Sequence, residues 1–329
     1  MKIVVLHNEV AEDACLDEAD ALVQRDVVSQ ALRCMGHEVS TLPFSLAFTE
    51  TMRTLEEVRP DCVFNLVETV LGRGSLIHMA PAMLDCLEIP YTGACTDGIY
   101  LTSNKVVAKR LLRASGLQTP PWLTAGKVKM ELDAGFRECI VKSVWEHASI
   151  GLDEGSIVPA VDRERLFNVM SERRQVLGGE CFAEAYVDGR EFNVSLLAGE
   201  DGPQVLPPAE ILFHEFPPQK PRVVGYRAKW EPESFDYSHT PRCFELHGKD
   251  RLVSDLLADQ AKRCWFLFDL RGYARIDFRV DTAGTPWIID VNANPCLSPD
   301  AGFFAASREA GIGFEEIIAR ILSDMNTFW

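Results

Sequence analysis

The segments ARIDFRV (274–280), DTAGTP (281–286) and WIIDVNANP (287–295) read as a β-hairpin with a central turn, and this hairpin decides how the rest of the chain is organised. Side chains alternate between the two faces of a strand. Arg275, Asp277 and Arg279 therefore share one face of the first strand, and Asp290 and Asn292 share one face of the second. With a four-residue loop at 282–285, the register sets Asp277 directly across from Asp290. Like charges opposed across a ladder repel, so the pair calls for a cation. Two carboxylates and an amide carbonyl are hard oxygen ligands, the set that suits magnesium held together with phosphates. A solvated face on which Arg275 and Arg279 pair with the acids would balance the charge without metal. Spacing alone leaves both readings open.

Other charged residues stand where charge is costly. Lys142 lies inside the apolar run CIVKSV (139–144), where burial is unfavourable unless the ammonium meets an anion. A phosphate would serve, and so would an internal salt bridge. Lys105 opens a helical segment, where an ordinary solvent-facing lysine is the commoner outcome. In EAYVDGREF (184–192), Glu184 and Glu191 flank Asp188-Gly189, a hairpin signal. Their carboxylates are acceptors for the amino group of a base and for ribose hydroxyls, with the backbone of Ala185, Tyr186 and Val187 along the base edge. Taken singly, such acids are more often surface residues.

Around these residues the chain divides into three units. KIVVL (2–6), a helical rhythm over 17–35 ending at Gly36, HEVSTLPF (37–44), CVFNLVE (62–68) and IPYTG (89–93) predict a small parallel α/β unit over residues 1–95. Ser103 can cap a helix through KVVAKRLLRAS to Gly116. The extended QTPPW, strands at 138–144 and 181–187 and a helix at 163–176 then make an α+β lobe over 96–187. The hairpin signal turning CFAEAYV into REFNVSLLAG, then VLPPAEILF, a helix at 250–271, the opening hairpin and two terminal helices complete a lobe over 188–329.

Composition narrows the chemistry. A net charge of −16 repels nucleic-acid backbones and anionic membranes, so any bound nucleotide needs a local basic pocket. No apolar run approaches the roughly 20 residues of a membrane span, and Met1 leads straight into a strand, which points to the cytoplasm. The ten cysteines are scattered and form no zinc-like pairs, so they read as reduced thiols. The run LHNEVAED after the first strand lacks the glycines of a dinucleotide fold, which sets aside a nicotinamide oxidoreductase. Cys296 has no evident histidine partner in sequence and reads as a packed thiol.

The order Lys105, Lys142, Glu184, Glu191, Lys229 and finally RID…DVNANP resembles the D-alanine–D-alanine ligase branch of the ATP-grasp superfamily. YTGA (91–94), SNK (103–105), GLQTPPW (116–122) and VLPPAEI (205–211) extend the resemblance over nearly the whole chain. It implies an ATP-grasp fold with an N-terminal parallel α/β domain, and an ATP- and Mg2+-dependent ligase, Mn2+ being an alternative, that joins a carboxylate to an amine through an acyl-phosphate. Carried over to this chain, it makes Lys105 and Lys142 phosphate ligands, Glu184 and Glu191 with Ala185, Tyr186 and Val187 the adenine and ribose contacts, and Asp277, Asp290 and Asn292 metal ligands. Arg275 would steady the acyl-phosphate and the tetrahedral intermediate. Lys229 would approach the transferred phosphate, and the loop 145–151, including Ser149, would close over the triphosphate. Partners would be amino acids or peptides, with no nucleic acid or membrane, and a homodimer is allowed.

The departures from that family gather around the amino-acid substrate. LGRGSLIH (71–78) lacks the family's acid, Trp230 stands where tyrosine is common, Ala148 replaces a serine, and Ala301 lies where a serine holds the second substrate's carboxylate. Glu18, Asp20, Arg73, Ser298 and Asp300 are possible replacements. These departures favour a ligase for other amino acids or small peptides over one for D-alanine. A nucleotide-binding sensor without turnover is the rival of another class, and a complete set of metal ligands argues against it.

Overall fold

The structure, a computed structural model, describes residues 1–11, 13–124, 137–146, 149–159, 163–246 and 250–325. Near the N-terminus, Lys2–Asn8 lies between Glu38–Phe44 and Cys62–Asn65 in a parallel sheet. Helices Leu16–Cys34 and Phe48–Val58 provide the crossovers. Parallel strands need cover on both faces. Val4, Leu6 and Val63 pack on Phe44, Leu55 and Leu84 on one side. On the other side, Ile3, Val5 and Phe64 pack on Phe303, Ile317 and Ile321 of the C-terminal helices Gly302–Glu309 and Phe314–Met325. The unit read as 1–95 thus shares its core with the end of the chain. IPYTG contributes only a bridge between Tyr91 and Val63, because Gly93, at φ 85°, turns the chain away.

A second, antiparallel sheet holds Trp122–Thr124, Cys181–Ala185, Glu138–Ser143 and Ile157–Pro159 in that spatial order. Leu166 and Met170 of helix Arg163–Arg173 fill one face of it against Leu123, Cys139 and Val141. The third sheet runs Arg242–Cys243, Ala209–Ile211, Gly189–Leu197, Tyr273–Asp281, Pro286–Asn292, with Gln204–Val205 also on Gly189–Leu197. Helices Lys105–Ala114 and Asp250–Leu267 bury Ala108, Leu112, Leu257 and Ala261 against its Phe192, Val194, Ile276 and Phe278.

Three local expectations change. Cys181–Ala185 and Gly189–Leu197 lie in different sheets and do not pair, so Asp188-Gly189 is a crossing between lobes and not a hairpin turn. Gly189 serves close approach: a Cβ there would sit 2.0 Å from the Val280 carbonyl oxygen. The cap of helix Lys105–Ala114 is Asn104, whose Oδ1 accepts from Val107 N–H at 3.0 Å, while Ser103 ends a preceding helix, Thr96–Ser103. In the opening hairpin the innermost pairs are Val280 with Pro286 and Phe278 with Ile288, one residue off the register of a loop at 282–285. A bulge at Ile289 cancels the offset, and Asp277 faces Asp290 after all.

Candidate active site

The two antiparallel sheets border a cavity of about 680 Å³, to which the N-terminal unit adds Asp20 and Glu68. All the residues expected to hold nucleotide or metal or to catalyse line it: Lys105, Lys142 and Lys229; Ser149; Glu184 to Val187 with Glu191; and Arg275, Asp277, Asp290 and Asn292.

The lysines enter from two elements. Lys105 is the first residue of its helix, an end where the macrodipole disfavours a cation. It is nevertheless 8% exposed, with Nζ 3.3 Å from Asp290 Oδ1. Lys142 projects from Glu138–Ser143 and ion-pairs with Glu184. The other oxygen of Glu184 lies 2.7 Å from Nζ of Lys109, which also donates to Thr119 Oγ1 at 2.6 Å. Burial works against the Glu184 carboxylate, but the two lysines outweigh it and hold its pKa below the usual value. Burial likewise opposes the charge on Lys142, where Glu184 reverses the balance and raises the pKa; on Lys109 burial prevails and lowers it. Glu184, expected as an adenine contact, therefore reaches the cavity already bridging two ammonium groups. Lys109 went unread in the sequence. Its signal was available, since it lies one helical turn from Lys105 on the face that buries Val106, Ala108 and Leu112.

On the hairpin, Arg275 Nε and Nη2 donate to Asp277 Oδ1 and Oδ2 at 2.8 and 2.9 Å, and Asn193 Nδ2 donates to Oδ1 at 2.8 Å. Arg279 pairs with neither aspartate. It contacts Glu191 Oε2, the Val187 carbonyl and the Arg222 carbonyl, each at 3.0 Å. Local cations thus balance both acids, Arg275 for Asp277 and Lys105 for Asp290. The donor set still fits a divalent cation. Asp277 Oδ2 keeps a lone pair beyond its bond to Arg275, and Asn292 Oδ1 is oriented by Asn294 N–H at 3.1 Å. Among the described residues no cluster of three or more His, Cys, Asp or Glu could hold a metal alone. Two acids and an amide therefore suit an ion that arrives with phosphates and water and needs no protein cage.

The backbone at 185–187 offers less than expected. The N–H groups of Ala185 and Tyr186 are spent on the carbonyls of Pro121 and Glu138, at 2.8 and 2.9 Å. Pro121 has no N–H to return, so the Ala185 carbonyl receives nothing from it. Val187 N–H has no partner among the described residues. One acceptor and one donor remain for a base edge. Ser149 sits at φ 61°, and its hydroxyl donates to the Val224 carbonyl at 2.9 Å. His147 and Ala148, the rest of the expected phosphate-covering segment, lie outside the described residues. Lys229 follows on the short helix Tyr226–Trp230, its pKa lowered to about 8 by burial and then by Arg275.

Several cavity residues were missed or only glimpsed. Glu68 accepts from Gln24 Nε2 at 2.7 Å, and burial pushes its pKa up to about 7. Glu146, 7% exposed, accepts from Gly74 N–H at 3.3 Å and so ties the 71–78 segment to the central lobe. Asp20 accepts from Ser298 Oγ at 2.6 Å and Cys296 Sγ at 3.0 Å. Burial and then Glu68 push the Cys296 thiol up, which disfavours a thiolate nucleophile. Of the replacements named for the substrate region, Asp20 and Asp300 line the cavity, whereas Glu18, Arg73 and Ser298 do not. Arg242, unread in the sequence, lines it as well. The ten cysteines are all free thiols, and among the described residues no helix is long and apolar enough to cross a membrane.

Comparison with known proteins follows this geometry. The family model described as "D-ala D-ala ligase C-terminus" matches residues 111–323. A D-alanine–D-alanine ligase of Moorella thermoacetica is 28% identical over 98% of each chain. The Sinorhizobium fredii protein described as "Uncharacterized protein y4sG" is 29% identical over 90% of this chain and 85% of that one. Among solved structures, the D-alanine–D-alanine ligase of Bacillus anthracis complexed with ATP superposes with a TM-score of 0.74 at 18% identity, covering 99% of this chain and 98% of that one.

Proposed function

This chain belongs to the D-alanine–D-alanine ligase family of ATP-grasp proteins, and on that premise we propose that its cavity forms an amide bond between a carboxylate and an amine through an acyl-phosphate. One observation carries the reading: Lys105 and Lys142 converge with Asp277, Asp290 and Asn292, from segments far apart in sequence, on the one cavity that also holds Arg275.

A carboxylate is a poor electrophile. Its oxygen attacks the γ-phosphorus of ATP, the bond to the β-phosphate oxygen breaks, and ADP leaves. The amine then attacks the acyl carbon, the carbon–oxygen bond to phosphate breaks, and the amine nitrogen sheds its proton as the amide forms. Lys105, Lys142 and Lys229 offset charge on the phosphates. Asp277, Asp290 and Asn292 would hold magnesium, or manganese in its place, which supplies charge neutralisation on the phosphate oxygens. Arg275 is the fixed donor toward the oxyanion, pre-oriented by its bidentate contact with Asp277. The Ala185 carbonyl and Val187 N–H frame the adenine edge, and Glu191, braced by Arg279, faces the ribose. Glu184 acts here mainly by holding Lys142 in place. Water must be excluded, because it would hydrolyse the acyl-phosphate.

We assign the work to the cytoplasm, on amino acids or small peptides. The test is ADP release with ATP, magnesium and pairs of D- and L-amino acids, with the amide product identified by mass. Nucleotide binding without ADP release across the panel would leave a non-catalytic sensor as the better account. A ligase for substrates other than D-alanine is favoured within the enzyme reading by Ala301, which caps its helix with no side-chain hydrogen bond, and by Trp230 in the cavity wall.

A further inference from the structure

Helix Asp250–Leu267 buries Leu257, Ala261 and Cys264 on one face and turns the opposite face to solvent. That outer face is not an ordinary polar one. Leu252, Leu256 and Phe266 are 70%, 49% and 70% exposed, and they are aligned along the helix where scattered single residues would be unremarkable. With Asp259 and Arg263 they form one ridge at 252, 256, 259, 263 and 266, whose spacing alternates four and three. Such a ridge is the seam by which one helix packs along another.

The charges on the ridge are left open. Asp259 and Arg263, four residues apart, are placed to pair within the helix. Instead Arg263 Nη2 donates to the Ser115 carbonyl at 3.1 Å, and among the described residues neither charge has an ion-pair partner.

We propose that this ridge is the contact between two copies of the chain, packed antiparallel about a two-fold axis at residue 261. A two-fold contact is self-complementary, so each pairing occurs twice. About that axis Leu256 of one copy meets Phe266 of the other, and Asp259 meets Arg263. Both ridge charges then face their opposites, whereas an axis at residue 259 would set Asp259 against itself. Leu252 falls opposite position 270, past the end of the partner helix. There a second cavity, of about 240 Å³, is lined by Trp265, Phe266 and Leu270 and receives it. One helix pair is smaller than the roughly 1,600 Å² of a standard interface, so the association is a weak one, in the micromolar range. No residue of this helix lines the cavity that holds Arg275, so the contact stands whatever reaction that cavity performs.

Sedimentation velocity of the full chain across the micromolar range tests this. The wild-type protein should pass from monomer to dimer as concentration rises. Leu256→Glu, Asp259→Arg and Arg263→Asp should each weaken the dimer ~10-fold or more, because every substitution acts twice across the axis. Circular dichroism should not change, since all three side chains are exposed. The decisive sample mixes the Asp259→Arg and Arg263→Asp proteins. Each copy then supplies the charge the other lacks, both ion pairs re-form across the axis, and the dimer should return to near wild-type strength. The proposal is overturned by a wild-type protein that stays monomeric throughout that range, by a dimer indifferent to the three substitutions, or by a mixture of the two charge variants that associates no better than either alone.

Discussion

Lys109 Nζ and Glu184 Oε2 lie 2.7 Å apart, with side chains only 4% and 1% exposed, and Lys142 holds the other oxygen of the same carboxylate. The glutamate is the hub that fixes a cavity lysine from beneath. Desolvating such a triad is costly, and only mutual pairing makes it tolerable.

Lys109→Met should therefore cost stability, at most about 3–5 kcal/mol, because it removes one of the two counter-charges of a buried carboxylate. It should also raise KM for ATP, since Lys142 becomes the sole partner of Glu184 and is drawn from the cavity. Adding Glu184→Gln should restore part of the stability, a non-additive result. Melting temperatures of the two single variants and the double variant check this. Strict additivity would mean that the triad is not a unit.

Asp290→Asn and Asn292→Ala should each abolish magnesium-dependent ADP release without loss of fold, because both side chains line the cavity and neither substitution opens a core void. In Asp290→Asn, Lys105 also loses its charged partner at 3.3 Å, so KM for ATP should shift as well. Near-normal turnover of both variants, with unchanged circular dichroism, would return the hairpin to a solvated face.

The hairpin shows how far the sequence could be read. Period-two alternation placed Arg275, Asp277, Asp290 and Asn292 on the cavity because a sheet buried on one face tolerates no slip. The Asp277–Asp290 pairing followed from a turn one residue too short and a bulge left out, two offsets that cancel. Turn length and bulges are settled by local bonds such as Asp281 Oδ1 to Ala283 and Thr285 N–H, both 2.9 Å, which periodicity does not register. Asp188-Gly189 misled for a related reason. Its glycine answers to the Val280 carbonyl in another strand, a tertiary demand that looks like turn chemistry in sequence. Glu68 and Arg242 were illegible because their meaning lies in partners that are distant along the chain, whereas Lys109 could have been read from its place on the buried helix face.

Glu68 gives a prediction in pH. Burial raises its pKa to about 7 from the ordinary 4.5, so the folded protein holds a proton that the unfolded chain releases. The stability tied to that proton is fully present below pH 4.5 and is lost as pH rises through about 7. Glu68→Gln, which keeps the acceptor for Gln24 and cannot ionise, should match the wild-type melting temperature at acidic pH and exceed it above pH 7. An advantage that is the same across the whole pH range would show that Glu68 does not titrate in this window.

The last prediction concerns the substrate. In the resembling ligases a serine near the position of Ala301 holds the second amino acid's carboxylate, and a tyrosine stands where Trp230 lines this cavity. Neither side chain supplies the missing hydroxyl, and Ala301 leaves its helix uncapped. A hydrogen bond to a charged group is worth about 1.5–3 kcal/mol, so two lost without replacement would weaken D-alanine binding by roughly 10²-fold or more. Trp230 also changes the shape of the wall the substrate meets. The expected outcome is that D-alanine paired with itself is not the best substrate pair, and that a bulkier or differently charged amino acid, or a short peptide, gives the higher kcat/KM. Competition of D-alanine against a panel of amino acids and dipeptides measures this directly. A clear maximum for D-alanine with itself would show that other groups replace the missing hydroxyls and that Trp230 leaves the pocket unchanged.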